Sequence, residues 1–298
     1  MRIAFTGKGG SGKTTIASLF ARVAAQDGYP VLAFDADINQ HLAAAVGYQG
    51  TLRSMGTDAT VIKRYLLGTN PYASATTMHK TMPPGGGSRL LRVDAHDWLI
   101  QEFAAWHDGM WLAGAGEIPE GNVGVRCYHG LNGAVELALG HLVDRQDDIV
   151  LVDMTAGADA FSSSLFTKVD ALVLIVEPTL KSIGVYEQFV EHAKRYDIPL
   201  WVVANKIQDS DDRAFVSEHI PLVAAWLPVS GAVRRQERGA GLQVVDSAMA
   251  EALRSVRNEL LTHPIDWPRR ESLAHMMHLR ASAMSQIDPD FSLTAAVL

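Results

Sequence analysis

The chain has 298 residues, 48% of them hydrophobic and 20% charged, which is the composition of a globular protein with enough apolar mass for a large core. A formal net charge of −7 argues against a surface built for nucleic acid or anionic lipid. The single cysteine, Cys127, excludes an intramolecular disulfide. No apolar run approaches membrane-spanning length, and the first strand begins without a signal peptide, so a cytoplasmic location is expected.

In chain order, Arg2 to Thr6 is a short apolar run suited to a buried parallel strand. It leads into Gly7-Lys-Gly-Gly-Ser-Gly-Lys-Thr-Thr15, which meets the phosphate-loop pattern of a glycine, four residues, then Gly12, Lys13 and Thr14. From Thr15 to Gln26 the apolar residues recur with helical period, completing the strand, loop and helix order that the motif requires. A second buried strand, Tyr29 to Asp37, ends in the acids Asp35 and Asp37. Further strands are predicted at Met110–Ala113, Ile149–Asp153, Ala171–Val176, Leu200–Ala204 and, more weakly, Leu222–Leu227. Helical faces lie between them: Leu131, Val135, Leu139, Leu142 and Val143 form one, and Val185, Phe189, Val190 and Ala193 form another after a Ser182 cap. Alternating strands and helices predict an α/β fold with a mostly parallel sheet covered on both faces.

Two stretches break this rhythm. Residues 50–108 are turn-rich, with Met82-Pro-Pro-Gly-Gly-Gly-Ser and a helical pattern over Trp98–Trp106, and read as an insertion over the nucleotide face or as a surface excursion. Residues 263–298 read as a helical extension packed on a domain that spans 1–262.

The loop chemistry is specific. Gly7, Gly9, Gly10 and Gly12 lack a Cβ, so backbone amides, with Ser11 among them, can converge on one anion. Gly12 to Thr15 open a helix whose free N–H groups favour negative charge. Lys13 would bridge the terminal phosphates of a nucleoside triphosphate, and the Thr14 hydroxyl would hold Mg²⁺. Asp153 ends a strand and fits a second, water-mediated Mg²⁺ ligand, with Gly157 letting its loop approach the γ-phosphate. Asp37 is the better candidate to position the attacking water. Asn205-Lys206 follows an apolar strand, but position 208 is Gln where guanine readers carry Asp, so ATP is the expected nucleotide. An Asn205 amide can meet the adenine edge, and Pro228 can pack on the ring.

With Lys8 in the loop, Asp35-Ala-Asp37, Asp153-Met-Thr-Ala-Gly157, Glu177-Pro-Thr and Asn205-Lys206, residues 1 to about 235 resemble the dimeric ATPases that include the Min septum-site, ParA partition, nitrogenase iron and arsenite or tail-anchor targeting proteins. The resemblance implies a homodimer sandwiching nucleotide, with Lys8 reaching the partner's ATP. Within that group the likeness is greatest to the ATPases that insert nickel into carbon monoxide dehydrogenase, which implies a protein client and metalloenzyme maturation. Those proteins carry a Gly-Cys-x-Cys metal segment. Here the corresponding stretch is Gly124-Val-Arg-Cys127, which lacks the first thiol. Cys127 and His129, two residues apart, could supply an S₂N₂ set for Zn²⁺ or Ni²⁺ across a dimer axis, or Cys127 could be a small apolar residue and His129 a polar one.

The alternative class is a positioning ATPase acting on DNA or a membrane-associated partner. Residues 287–298 contain two acids and no Lys or Arg, which disfavours lipid attachment, and the arginines of Val233–Arg238 read as a solvated face or a phosphate contact. A reductase with a dimer-bridging cluster would need four thiolates, whereas two chains supply two.

Overall fold

The computed structural model describes residues 1–117, 128–238, 246–281 and 284–298. Its elements run β1 (Arg2–Gly7), α1 (Lys13–Gln26), β2 (Val31–Ala36), α2 (Leu42–Ala45), α3 (Ala59–Leu67), α4 (Trp98–Phe103), β3 (Ala105–His107), β4 (Met110–Gly114), α5 (Tyr128–His141) and β5 (Ile149–Met154). They continue through β6 (Ala171–Val176), α6 (Leu180–Arg195), β7 (Leu200–Ile207), α7 (Ser210–His219), β8 (Ala225–Pro228), α8 (Gly231–Glu237), α9 (Ser247–Leu261), α10 (Trp267–Arg280) and α11 (Leu293–Val297).

The strands form one eight-stranded sheet in the order β3-β4-β2-β5-β1-β6-β7-β8, parallel except for β3. The fold is therefore the α/β class expected. Side chains of the central strands divide by the strand period of two. Ile3, Phe5, Val31, Ala33, Leu151 and Val173 face one core with α1 and α9. Ala4, Leu32, Phe34, Val152 and Leu174 face a second core with α3, α5 and α6. Both faces are covered, which is why these strands are continuous apolar runs without polar alternation.

Two local expectations are corrected, and the packing of residues 50–108 is added to them. The helical pattern over Trp98–Trp106 stops at Phe103, and Ala105–His107 pairs antiparallel with β4 through Asp108 and Gly109, whose φ angles of 48° and 82° make the two-residue hairpin turn that an Asp-Gly pair favours. Helix α6 is capped by Thr179, whose side chain accepts from Ser182 N, while Ser182 Oγ instead accepts from Glu177 N at 3.0 Å. Residues 50–108 pack against α5 and the second core, with Met55, Ile62, Leu66, Met78 and Leu91 fully buried, and none of them lines the cavity at the phosphate loop.

At the opposite end of the sheet from that loop, α10 is tied down by buried charge. Arg270 binds Asp144 at 2.7 Å and Asp170 at 2.5 Å, and Arg2 Nε binds the same Asp144 oxygen at 2.9 Å. The Trp267 ring lies 4.5 Å from the Arg270 guanidinium. Burial alone would raise both carboxyls, but Arg2 and Arg270 outweigh it at Asp144, and Arg270 does so at Asp170, so both are held below the usual aspartate value. A carboxyl with a depressed folded pKa stabilises fully above its unfolded value of 3.8 and loses that contribution as pH falls below it. Asp144→Ala is expected to lower unfolding stability by about 3–5 kcal/mol, because two guanidinium groups lose a buried partner. Urea titration at pH 7 checks the magnitude, and the gap between variant and parent should narrow as pH falls below the ordinary aspartate range.

Candidate nucleotide site

The phosphate loop leaves the central strand β1 and is shaped by glycines. Gly10 and Gly12 have φ angles of 83° and 94°, and Ser11 N closes the turn by donating to the Lys8 carbonyl at 3.0 Å. A Cβ at Gly12 would also come within 2.5 Å of Asn205 Nδ2, so the position is restricted by both backbone and space. Helix α1 begins immediately afterwards, its first turn carrying Lys13, Thr14 and Thr15.

Adjacent strands bring the acids to this turn. In β2 and β5, Asp35 lies directly opposite Asp153. Lys13 Nζ stands 2.6 Å from Asp37 Oδ2, 3.3 Å from Asp153 Oδ1 and 3.1 Å from Thr14 Oγ1. Burial would depress the lysine, but Asp153 and Asp37 outweigh it and hold its pKa above the usual value. Asp153 is fully buried. Desolvation raises its carboxyl in spite of Lys13 and the Thr14 hydrogen bond, and its Oδ2 has no protein partner. Asp35 is pushed up to about 7, by desolvation first and Asp153 second, against the backbone hydrogen bonds it accepts. Its oxygens accept from Leu42 N at 2.8 Å and Asp37 N at 3.2 Å, so Asp35 shapes the β2–α2 connection whereas Asp37 faces the cavity.

That cavity, about 260 Å³, is lined by Lys8, Gly9, Gly10, Gly12, Lys13, Thr14, Thr15, Asp37, Asn39, His41 and Ala156. A second cavity of about 240 Å³ shares Gly12 and Thr15 and is walled by Ile16, Asn205, Lys206, Pro228, Val229, Ser230, Val233, Arg234 and Met249. The expected loop residues thus meet Asp37, with Asp153 behind Lys13, and Asn205, Lys206 and Pro228 meet one compartment over. The Asn205 and Lys206 side chains also have a structural task. Asn205 Nδ2 donates to the Ser11 carbonyl at 2.9 Å, and Lys206 Nζ donates to the Gly10 carbonyl and contacts Glu177 Oε2 at 3.2 Å. Lys8 Nζ pairs with Glu177 Oε1 at 2.7 Å within its own chain.

Sequence reasoning did not single out Asn39, which donates its N and Nδ2 to Asp37 Oδ1 at 2.9 and 3.0 Å. The Asp-x-Asn spacing of an Asx turn was the available signal. Nor did it find the apolar wall from Val229, Val233 and Met249, which carries no motif. Cys127 lies outside the described residues, as does the side chain of His129. Among the described residues no group of three or more His, Cys, Asp or Glu is placed to hold a metal. No helix among them is long and apolar enough to cross a membrane.

The CobQ/CobB/MinD/ParA nucleotide binding domain matches residues 3–242. The chain belongs to that family. Its relatives include the carbon monoxide dehydrogenase accessory protein CooC of Rhodospirillum rubrum, 30% identical over 258 residues, an alignment that covers 84% of this chain and 91% of CooC. Solved structures with the same fold include a ParA family ATPase from Chlorobium tepidum, with a TM-score of 0.59 at 16% identity, covering 88% of this chain and 97% of that one. The septum site-determining protein MinD of Pyrococcus horikoshii, solved with Mg-ADP, gives a TM-score of 0.58 at 15% identity, covering 87% and 94%. The phosphate loop and the α/β fold are those of a P-loop nucleotide-binding ATPase family.

Gly12→Ala is expected to abolish nucleotide binding and to cost about 1–3 kcal/mol of stability, through its positive φ and the Asn205 contact. Calorimetric titration with nucleotide and a thermal melt measure the two effects separately.

Proposed function

We propose that the protein is a Mg-ATP-hydrolysing switch that works as a nucleotide-gated homodimer on a protein client in metalloenzyme maturation. The observation that carries the hydrolytic part is the convergence of Lys13, Thr14, Asp37 and Asp153 on a glycine-built anion cradle beside a compartment walled by Asn205, Pro228, Val233 and Met249. Support for the dimeric part is the family together with Lys8 at the rim of the loop. Support for the client class is the 30% identity to CooC, whose name describes an accessory protein of carbon monoxide dehydrogenase.

In this reading ATP lies with its triphosphate in the loop amides and its base against Pro228 and Val233, where the Asn205 carbonyl oxygen accepts from an adenine amino group. The unpartnered Asp153 Oδ2 next to the Thr14 hydroxyl is a hard oxygen set that fits Mg²⁺, which supplies charge neutralisation on the β- and γ-phosphates when bound. A phosphate oxygen takes over Lys13 from Asp37, and Asp37, still oriented by Asn39, then accepts a hydrogen bond from water in line with the γ-phosphorus. The water oxygen bonds to phosphorus as the bond to the ADP oxygen breaks, giving ADP and inorganic phosphate. The ion pair that masks Asp37 in this structure thus ties its activation to the arrival of the triphosphate. A partner's Lys8 would add a second cation to the transferring group. Cys127 and His129 are the residues proposed for a shared Zn²⁺ or Ni²⁺, at one metal per two chains.

Lys13→Ala is expected to remove ATP binding in calorimetry, and retained hydrolysis would overturn the loop assignment. Asp37→Ala should still bind Mg-ATP while turnover falls about 10²–10⁴-fold. Recovery of a metalloenzyme client on this trapped variant in ATP, with elemental analysis of the purified dimer, tests partner and metal together. Lys8→Ala should bind ATP as a monomer and fail to dimerise in light scattering.

A further inference from the structure

The Lys8, Glu177 and Lys206 cluster holds two ammonium groups and one carboxylate. Glu177 offers one oxygen to each lysine, at 2.7 Å to Lys8 and 3.2 Å to Lys206. The carboxylate itself is well fixed. Its residue lies between the end of β6 and the Thr179 cap of α6, and its backbone N–H donates to Ser182 Oγ. Lys206 is equally constrained, at a positive φ of 62° that brings its amine onto the Gly10 carbonyl. Glu177 is 13% exposed and Lys8 is 28% exposed. Burial would raise the Glu177 carboxyl, but Lys8 and Lys206 outweigh it and hold it ionised.

One cation in this cluster is surplus. If Lys8 leaves, Glu177 keeps Lys206 and no buried charge is orphaned, so the departure costs one ion pair without a desolvated remainder. Lys206 is less free to leave, because its amine also anchors the loop backbone.

We propose that Glu177 is a restraint in cis that stores Lys8 on its own chain and sets the threshold at which the lysine is surrendered to the nucleotide of a second copy. This deepens the dimeric reading above and rests on it. Glu177 acts here as a positioning residue whose effect runs through Lys8. A restraint of this kind lowers the population of the dimer-competent state without touching the triphosphate.

The test compares parent, Glu177→Gln, Lys206→Met and Lys8→Ala in Mg-ATP on the Asp37→Ala background, which prevents turnover. Sedimentation reads the dimer dissociation constant, and calorimetry at concentrations below dimerisation reads ATP affinity. Glu177→Gln is expected to tighten the dimer roughly three- to tenfold, the range of one partly exposed ion pair, and to leave monomer ATP affinity within about twofold. Glu177→Ala, which removes the carboxylate altogether, should tighten it likewise. A dimer unchanged or weakened in both Glu177 variants overturns the restraint. So does equal tightening by Lys206→Met, which would place the effect in the loop. If Lys8→Ala dimerises as the parent does, the cross-subunit reading itself falls. If Lys8→Ala loses the dimer and the Glu177 variants do not tighten it, the restraint alone falls.

Discussion

An ammonium group withdrawn from water must be matched by negative charge within a few ångströms, and at Lys13 the match is made by carboxylates from two other segments, Asp37 and Asp153. That requirement fixes much of the surrounding architecture. β5 must lie between β1 and β2, as it does, for Asp153 to come under the first turn of α1 while the connection after β2 curls Asp37 over it. Asp35 bears part of the cost. Pressed against Asp153 in register and starved of solvent, it is driven towards neutrality, and its hydrogen bonds to the next loop hold Asp37 in place.

How much of this was legible in the sequence depended on whether the signal was local. The phosphate loop announces itself because its glycines, lysine and threonine act within one turn, and β1, β2, β5 and β6 are legible because burial on both faces makes each a continuous apolar run. The hairpin at β3 was written in Asp108-Gly109 but was obscured by the helical spacing of the residues before it. The Thr179 cap lost to Ser182 by three residues, since both side chains bond the same stretch of backbone and only geometry says which one accepts from a helical N–H. The second task of Asn205 and the apolar wall of Val229 and Val233 were not legible, because each depends on strands and helices that meet only in the folded chain. The Arg2, Asp144 and Arg270 cluster is illegible for the same reason, its members being drawn from the two ends and the middle of the sequence.

Two clusters of buried charge lie at opposite ends of the same strands. At the amino ends, carboxylates and guanidinium groups are mutually satisfied, and their role is to fasten α10 across the sheet. At the carboxyl ends the pairing is incomplete. Lys13 is shared between Asp37 and Asp153, and an oxygen of Asp153 has no protein partner at all. The contrast is one of satisfaction: one end closes its charges on one another, and the other leaves an acceptor open beside the phosphate loop.

The two rims of the sheet carry a further implication. One is finished by the three residues of β3 with Trp106 more than half exposed, and the other by the four residues of β8, which ends in Pro228. Stubs this short, one of them terminated by a residue that has no N–H to give, offer little template for a neighbouring backbone. The sheet is thereby guarded at both rims against zipping edge to edge into ribbons.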